Sequence, residues 1–165
     1  MSLASDVVVD AFDASAWLLL ASTPSAIADA AMSAAADIDE WTNTDNAERA
    51  SFILAASVGV TADAKSGVYL HAQLLNFDDV PSGISTNDSS VVDGTNSEGI
   101  KIGVFTPWNA NIATSTLQYL ILPNAILPNI QTAQDYQFHV YNRTGQAIQD
   151  TWDLWIKTKG RILKA

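Results

Sequence analysis

Apolar and polar residues alternate along most of this chain, and the alternation becomes regular from Ser51 onward. Between Ser51 and Val60, the residues Phe52, Leu54, Ala56 and Val58 fall on one side with small residues opposite. That period of two is the mark of a strand with one packed face. A turn over Thr61–Gly67 leads into a second strand, Val68 to Phe77, and the two are expected to pair as a hairpin. Ile100 to Phe105 alternates again, with Ile100, Ile102 and Val104 on one side. Leu117 to Leu122 is a further strand, and Pro123 and Pro128 confine the segment between them to an edge or a turn. Tyr136 to Asn142 and Thr151 to Thr158 are the last strands, the second with Trp152, Leu154 and Ile156 on one face. Between them, Asn142-Arg-Thr-Gly145 reads as a turn in which Gly145 takes a left-handed conformation at no steric cost, so this region is expected to be a closing hairpin.

Seven to eight short strands separated by turn signals predict an all-β fold, an antiparallel β-sandwich or jelly roll. Residues 24–40 are open to two readings. Thr23-Pro24 would suit a helix start, with Ile27, Ala31, Ala34 and Ile38 at weak helical spacing, giving a short helix. The same run reads as a turn and an extended segment, which the β character of the remainder favours. The 165 residues fit one domain, 1–165, with residues 1–14 as a flexible or docking N-terminal arm.

Charge sharpens this picture. The net charge is −10, which disfavours nonspecific nucleic-acid binding. Residues 1–50 hold nine acids and one base, Arg49, whereas Lys157, Lys159, Arg161 and Lys164 crowd the C-terminus. Such a basic edge could dock on acidic neighbours, copies of the same chain included, or could simply discourage edge-to-edge aggregation. No apolar run approaches the roughly 18 residues needed to span a bilayer. No basic stretch precedes the early apolar runs, so neither a membrane partner nor a signal peptide is expected.

Candidate chemistry is sparse. Cysteine is absent, which removes thiolate catalysis and cysteine-based zinc sites. His71 and His139 both lie inside predicted strands and read as structural residues. No Gly-x-Ser-x-Gly elbow and no phosphate-binding glycine loop occurs. Acid pairs at Asp37/Asp39/Glu40 and Asp78/Asp79 have no fixed separation that would mark a glycosidase. The long acidic loop Asp78–Gly99 offers Asp88, Asp93 and Glu98 as calcium candidates. EF-hand spacing fails there, because Val91 and Ile100 would fall at ligand positions. The expectation is therefore no catalytic residue, no resident metal and no cofactor. Among the tryptophans, Trp17 and Trp152 read as core residues. Trp108, and Trp155 with parity opposite to Trp152, read as interface anchors beside Lys157, Lys159, Arg161 and Lys164.

The stretches Ile100-Lys-Ile-Gly-Val104, Ile121-Leu-Pro123 and Phe138-His-Val-Tyr-Asn-Arg-Thr-Gly-Gln-Ala147 carry a family resemblance. Upstream, Ala35-Ala-Asp-Ile38 leads into Phe52-Ile-Leu-Ala55 and Val68-Tyr-Leu-His-Ala72. From Ser33 to the C-terminus the chain resembles a group of small tailed-bacteriophage structural proteins. It departs from them in the acidic insertion Asp79–Glu98 and in its tryptophan-rich last strand. The resemblance implies a virion component, with capsid decoration or cementing as the expected role. Its expected partners are the major capsid protein, other virion proteins and further copies of itself, and its expected place is the capsid surface. A head–tail or tail-associated position is the nearest variant. A carbohydrate- or receptor-binding β-module is the alternative from a different class.

Overall fold

Strands in this chain find their partners far away in sequence, and the pairing follows one rule. The computed structural model describes residues 7–12, 17–21, 24–58, 67–75, 100–106, 116–129 and 132–164. These form β1 (Val7–Phe12), β2 (Leu18–Leu19), β3 (Ala31–Met32), β4 (Trp41–Thr42), β5 (Arg49–Ala56), β6 (Gly67–Leu75), β7 (Ile100–Phe105), β8 (Gln118–Ile126), β9 (Asp135–Arg143) and β10 (Asp153–Lys164), with a single 3-10 turn at Ala35–Asp37. The first sheet runs β1-β10-β5-β8, with β2 also on β10. The second runs β3-β9-β6-β7, with β4 also on β9. Every pairing between these strands is antiparallel.

The rule is nesting. β6 pairs with β7, β5 with β8, β3 and β4 with β9, and β1 and β2 with β10. The chain thus behaves as one long hairpin, doubled back between β6 and β7 and wound so that successive pairs alternate between sheets. With β1 and β2 counted as one interrupted strand, and β3 and β4 as another, eight strand positions remain. That wrap is a jelly roll, an all-β antiparallel sandwich.

Two expected hairpins do not form. β5 lies in the first sheet and β6 in the second, so the strands at Ser51 and Val68 face each other across the core. β9 and β10 are likewise in different sheets, and the Asn142–Gly145 turn starts a crossover. Ile148, just beyond it, bridges to both Ile27 and Val58. Alternation identified the packed faces of β5 and β10 correctly but carried no information about their neighbours. A third expectation fails within β7. The register slips between Leu70/Gly103 and His71/Lys101, which makes Ile102 the extra residue of a β-bulge. Val104 therefore shares the outer face with its partner Tyr69, instead of the side of Ile100 and Ile102.

The core lies where the expected faces meet. Phe52, Leu54, Ala56 and Val58 are buried, as are Trp152, Leu154 and Ile156. The rings of Phe52 and Phe138 meet edge to face across the sheets at 5.1 Å. Residues 24–40 take the extended reading, apart from the three-residue 3-10 turn, and are held by buried polar contacts. Asp37 accepts hydrogen bonds from the Ser25 and Ala34 backbone amides (2.8 and 3.1 Å). The Trp152 indole donates to the Ser25 carbonyl at 2.8 Å. Trp41 stacks on Tyr136, whose hydroxyl donates to Asn129. Burial pushes that phenol up to about 12, against a smaller lowering from hydrogen bonding with Asn43, so it stays a donor at any ordinary pH.

The Asn142 turn is equally well satisfied. The Asn142 amide donates to the carbonyls of Ile27, Ala28 and Gln146. Its oxygen accepts from the Thr144 amide and hydroxyl. Gly145 takes φ 78°, the left-handed conformation expected of it.

Candidate functional site

Side chains directly opposite one another in an antiparallel sheet share a face, so register decides which outward residues touch. In the first sheet Leu19 lies opposite Trp155, Trp155 opposite Ile53, and Ile53 opposite Ile121. Four strands, β2, β10, β5 and β8, thus contribute one apolar row to the outer face. Leu19 is 48% exposed and Ile121 45%, with Trp155 and Ile53 half-buried between them. Tyr119, 64% exposed, stands two residues from Ile121 on the same face. The inner face of these strands already packs the core, so the row lies outside it. An apolar row with aromatic members on an outer sheet face suits a partner surface.

Lys157 sits two residues beyond Trp155, half-buried and opposite Ser51. A cation beside an apolar patch of this kind adds orientation to a contact that apolar burial drives. Among the described residues, the expected basic edge is closed on both sides up to Lys159 and on the β1 side alone from Gly160 to Lys164. β10 is flanked by β5 along Asp153–Lys159 and by β2 and then β1 on its other side. Of residues 1–14, expected as an arm, Val7–Phe12 forms β1 on this ladder. Lys159, Arg161 and Lys164 are therefore members of a backbone ladder, paired with Phe12, Asp10 and Val7. Their side chains, together with Trp108, Asp88, Asp93 and Glu98, lie outside the described residues.

Trp17 departs from expectation. It is 38% exposed rather than buried, beside the exposed Leu18 and Leu19 at the edge of the row. Trp155 was the one member of the row legible in the sequence, through its parity opposite to Trp152. Leu19, Ile53, Tyr119 and Ile121 were not, because their neighbours were unknown until the register was.

The two histidines meet across the second sheet, His71 opposite His139. His139 is buried, with Nδ1 3.3 Å from the Ser33 carbonyl oxygen, a geometry that fixes Nδ1 as the protonated donor and leaves Nε2 bare. The His71 ring meets the Tyr141 ring edge to face at 5.9 Å. No group of three histidine, aspartate or glutamate side chains that could hold a metal ion occurs among the described residues. Asp37, one of the sequence's paired acids, caps backbone amides, while Asp39 and Glu40 are exposed.

Burial lowers the His139 pKa below 6.5, the Ser33 carbonyl opposes this, and His71 nearby lowers it further. The unfolded chain then binds a proton that the folded chain resists. The contribution of His139 is complete above pH 6.5 and declines as pH falls from there through the lower folded value. Urea midpoints should therefore drop below pH 6.5, by at most about 1.4 kcal/mol per pH unit from this group. His139→Gln should flatten that slope, and an unchanged slope would show that His139 does not titrate as stated.

The fold and this face together define an all-β jelly-roll sandwich with an exposed apolar row on the outer face of its first sheet. Compared with family models, with curated proteins and with solved structures, the chain gives no match.

Proposed function

We propose that this chain is a structural protein of a tailed-bacteriophage virion, decorating or cementing the capsid through the outer face of its first sheet. The observation that carries the reading is the row Leu19–Trp155–Ile53–Ile121, with Tyr119 beside it. A lone apolar surface residue means little, whereas a row in register across four strands offers a continuous contact. On a particle with many copies, each such contact can be weak and the assembly still tight. The sequence resemblance from Ser33 onward supports the virion setting. The fold itself is neutral, because jelly rolls serve viral coats and lectins alike.

Mass spectrometry of gradient-purified particles from the source tests the setting. The chain is expected in the particle fraction at many copies. Its presence only among unassembled proteins, as a stable monomer, would contradict the reading. The carbohydrate-binding alternative draws on the exposed Tyr119 and the half-buried Trp155 as a stacking platform. Hits on a glycan array that disappear in Tyr119→Ala would favour it instead.

A further inference from the structure

A second surface adjoins the row at Ile121 but opens on another side of the molecule, where the two sheets part. β7 ends the second sheet and β8 the first, on the same side of the sandwich. At one point they are stitched together. Thr106 and Ile121 exchange both backbone hydrogen bonds, at 3.0 and 2.7 Å. From there toward Ile100 the strands diverge, and a cleft of about 490 Å³ opens between them. Along the side of β7 that faces away from β6, no further backbone partner for Ile100–Val104 occurs among the described residues. β8 offers less to a visitor, because Pro123 in its middle has no N–H to donate.

The lining gives the cleft its chemistry. Ile100, Ile102, Leu122 and Pro123 make it apolar, and Arg49 and Lys101 are its only charged residues among the described ones. Both cations are exposed: the Lys101 ammonium lies 3.8 Å from the centroid of the Tyr69 ring, and the Arg49 guanidinium donates to the Asn124 carbonyl at 3.5 Å, so each is held near the rim and can turn toward a carboxylate. Gly103 keeps the cleft narrow at the stitched end: a Cβ there would stand 2.3 Å from a Leu122 methyl, so Leu122 lies across the bare backbone.

We infer that this cleft is a docking site for an extended, acidic segment of a partner polypeptide, which adds as a strand to the edge of β7 that is unpaired among the described residues. An open strand edge supplies main-chain hydrogen bonds, and an apolar slot beside it accepts alternate side chains of the incoming strand. Arg49 and Lys101 select carboxylates on the intervening positions and reject basic segments. The bulge at Ile102 on one side of the cleft and the missing N–H of Pro123 on the other keep the two edges from closing on each other. The inference is independent of the virion reading, since it concerns a different face and a different kind of contact.

Fluorescence anisotropy with synthetic peptides tests it on the full chain. The probe is a labelled Val-Asp-Val-Asp-Val-Asp-Val peptide. The controls are its Val-Lys counterpart and a version of the probe N-methylated at alternate residues. The acidic peptide is expected to bind and the basic one not. N-methylation should weaken binding at least tenfold, because it removes donors that strand addition needs. Lys101→Glu and Arg49→Glu, at exposed positions where unchanged melting curves confirm folding, should each weaken it several-fold. No binding of the acidic peptide, equal binding of the basic one, or full binding of the N-methylated one would overturn the inference. Loss of the outer-face row at a residue that does not line the cleft, as in Tyr119→Asp, should leave peptide binding intact, which separates failure here from failure of the capsid-docking proposal.

Discussion

Replacing Trp152 with alanine is expected to remove about 3–5 kcal/mol of stability, the largest single loss in the molecule. Trp152 is the largest fully buried side chain among the described residues, at the point where the chain enters β10. Its removal leaves a cavity that the two sheets cannot close, because both are fixed by their ladders. It also strips the Ser25 carbonyl of its indole donor. Ser25 is held from both directions, its amide by Asp37 and its carbonyl by Trp152, so the loss frees the extended segment that covers this end of the core. Trp152→Phe keeps most of the ring volume and loses the hydrogen bond, and should cost about 1–2 kcal/mol. Urea denaturation followed by circular dichroism reads both. Against a total of roughly 5–15 kcal/mol for a domain, the alanine variant should be close to unfolding at 37 °C. A loss under about 1 kcal/mol would mean that Trp152 does not anchor the core.

The second large effect is expected at Asn142, which is fully buried. Its side chain ties β9 to the segment at Ile27 and Ala28 and to the crossover that follows. Asn142→Ala removes one donor from each of three carbonyls, which keep the Ile148 amide, the Ala31 amide and the Thr144 hydroxyl, and leaves the Thr144 amide without its acceptor, at a combined cost of about 2 kcal/mol. Asn142→Asp is the sharper test because it keeps the shape and reverses the chemistry. The carboxylate would face the same three carbonyl oxygens with no hydrogen to offer, so its folded pKa would rise above the unfolded value near 3.9. Relative to the parent chain, this variant should be destabilised more at pH 7 than at pH 4, where the acid is largely protonated in the folded state. An equal penalty at both pH values would contradict the hydrogen-bond assignment of this turn.

These two residues also show what sequence alone could and could not reveal. The alternation Trp152, Leu154, Ile156 placed Trp152 in the core, because a period of two has only two outcomes and one face was plainly apolar. Gly145 after Asn142-Arg-Thr announced a left-handed turn, since that conformation is strained for most other residues. Pro123 announced an edge, and β8 is one. Partnership was hidden. Short-range logic joined β5 to β6 and β9 to β10, whereas the nested wrap sends each pair to opposite sheets. The bulge at Ile102 was hidden for a related reason, since an extra residue is visible only against the strand it fails to match. The docking row was hidden most deeply. Ile53 and Ile121 are 68 positions apart, and only their register through β5 and β8 makes them neighbours.

The central claim is that this outer row attaches the protein to a particle. Its most direct test is co-sedimentation of the purified chain with the capsid shells that the proposal names as its partner, stripped of the protein. The wild type is compared with the double variant Tyr119→Asp, Ile121→Asp. Both positions are well exposed, so each substitution should change stability by only about 0.5 kcal/mol. The wild type should pellet with the shells, while the double variant remains in the supernatant with at least tenfold weaker binding. Equal pelleting of the two, or a wild type that never pellets, would contradict the account.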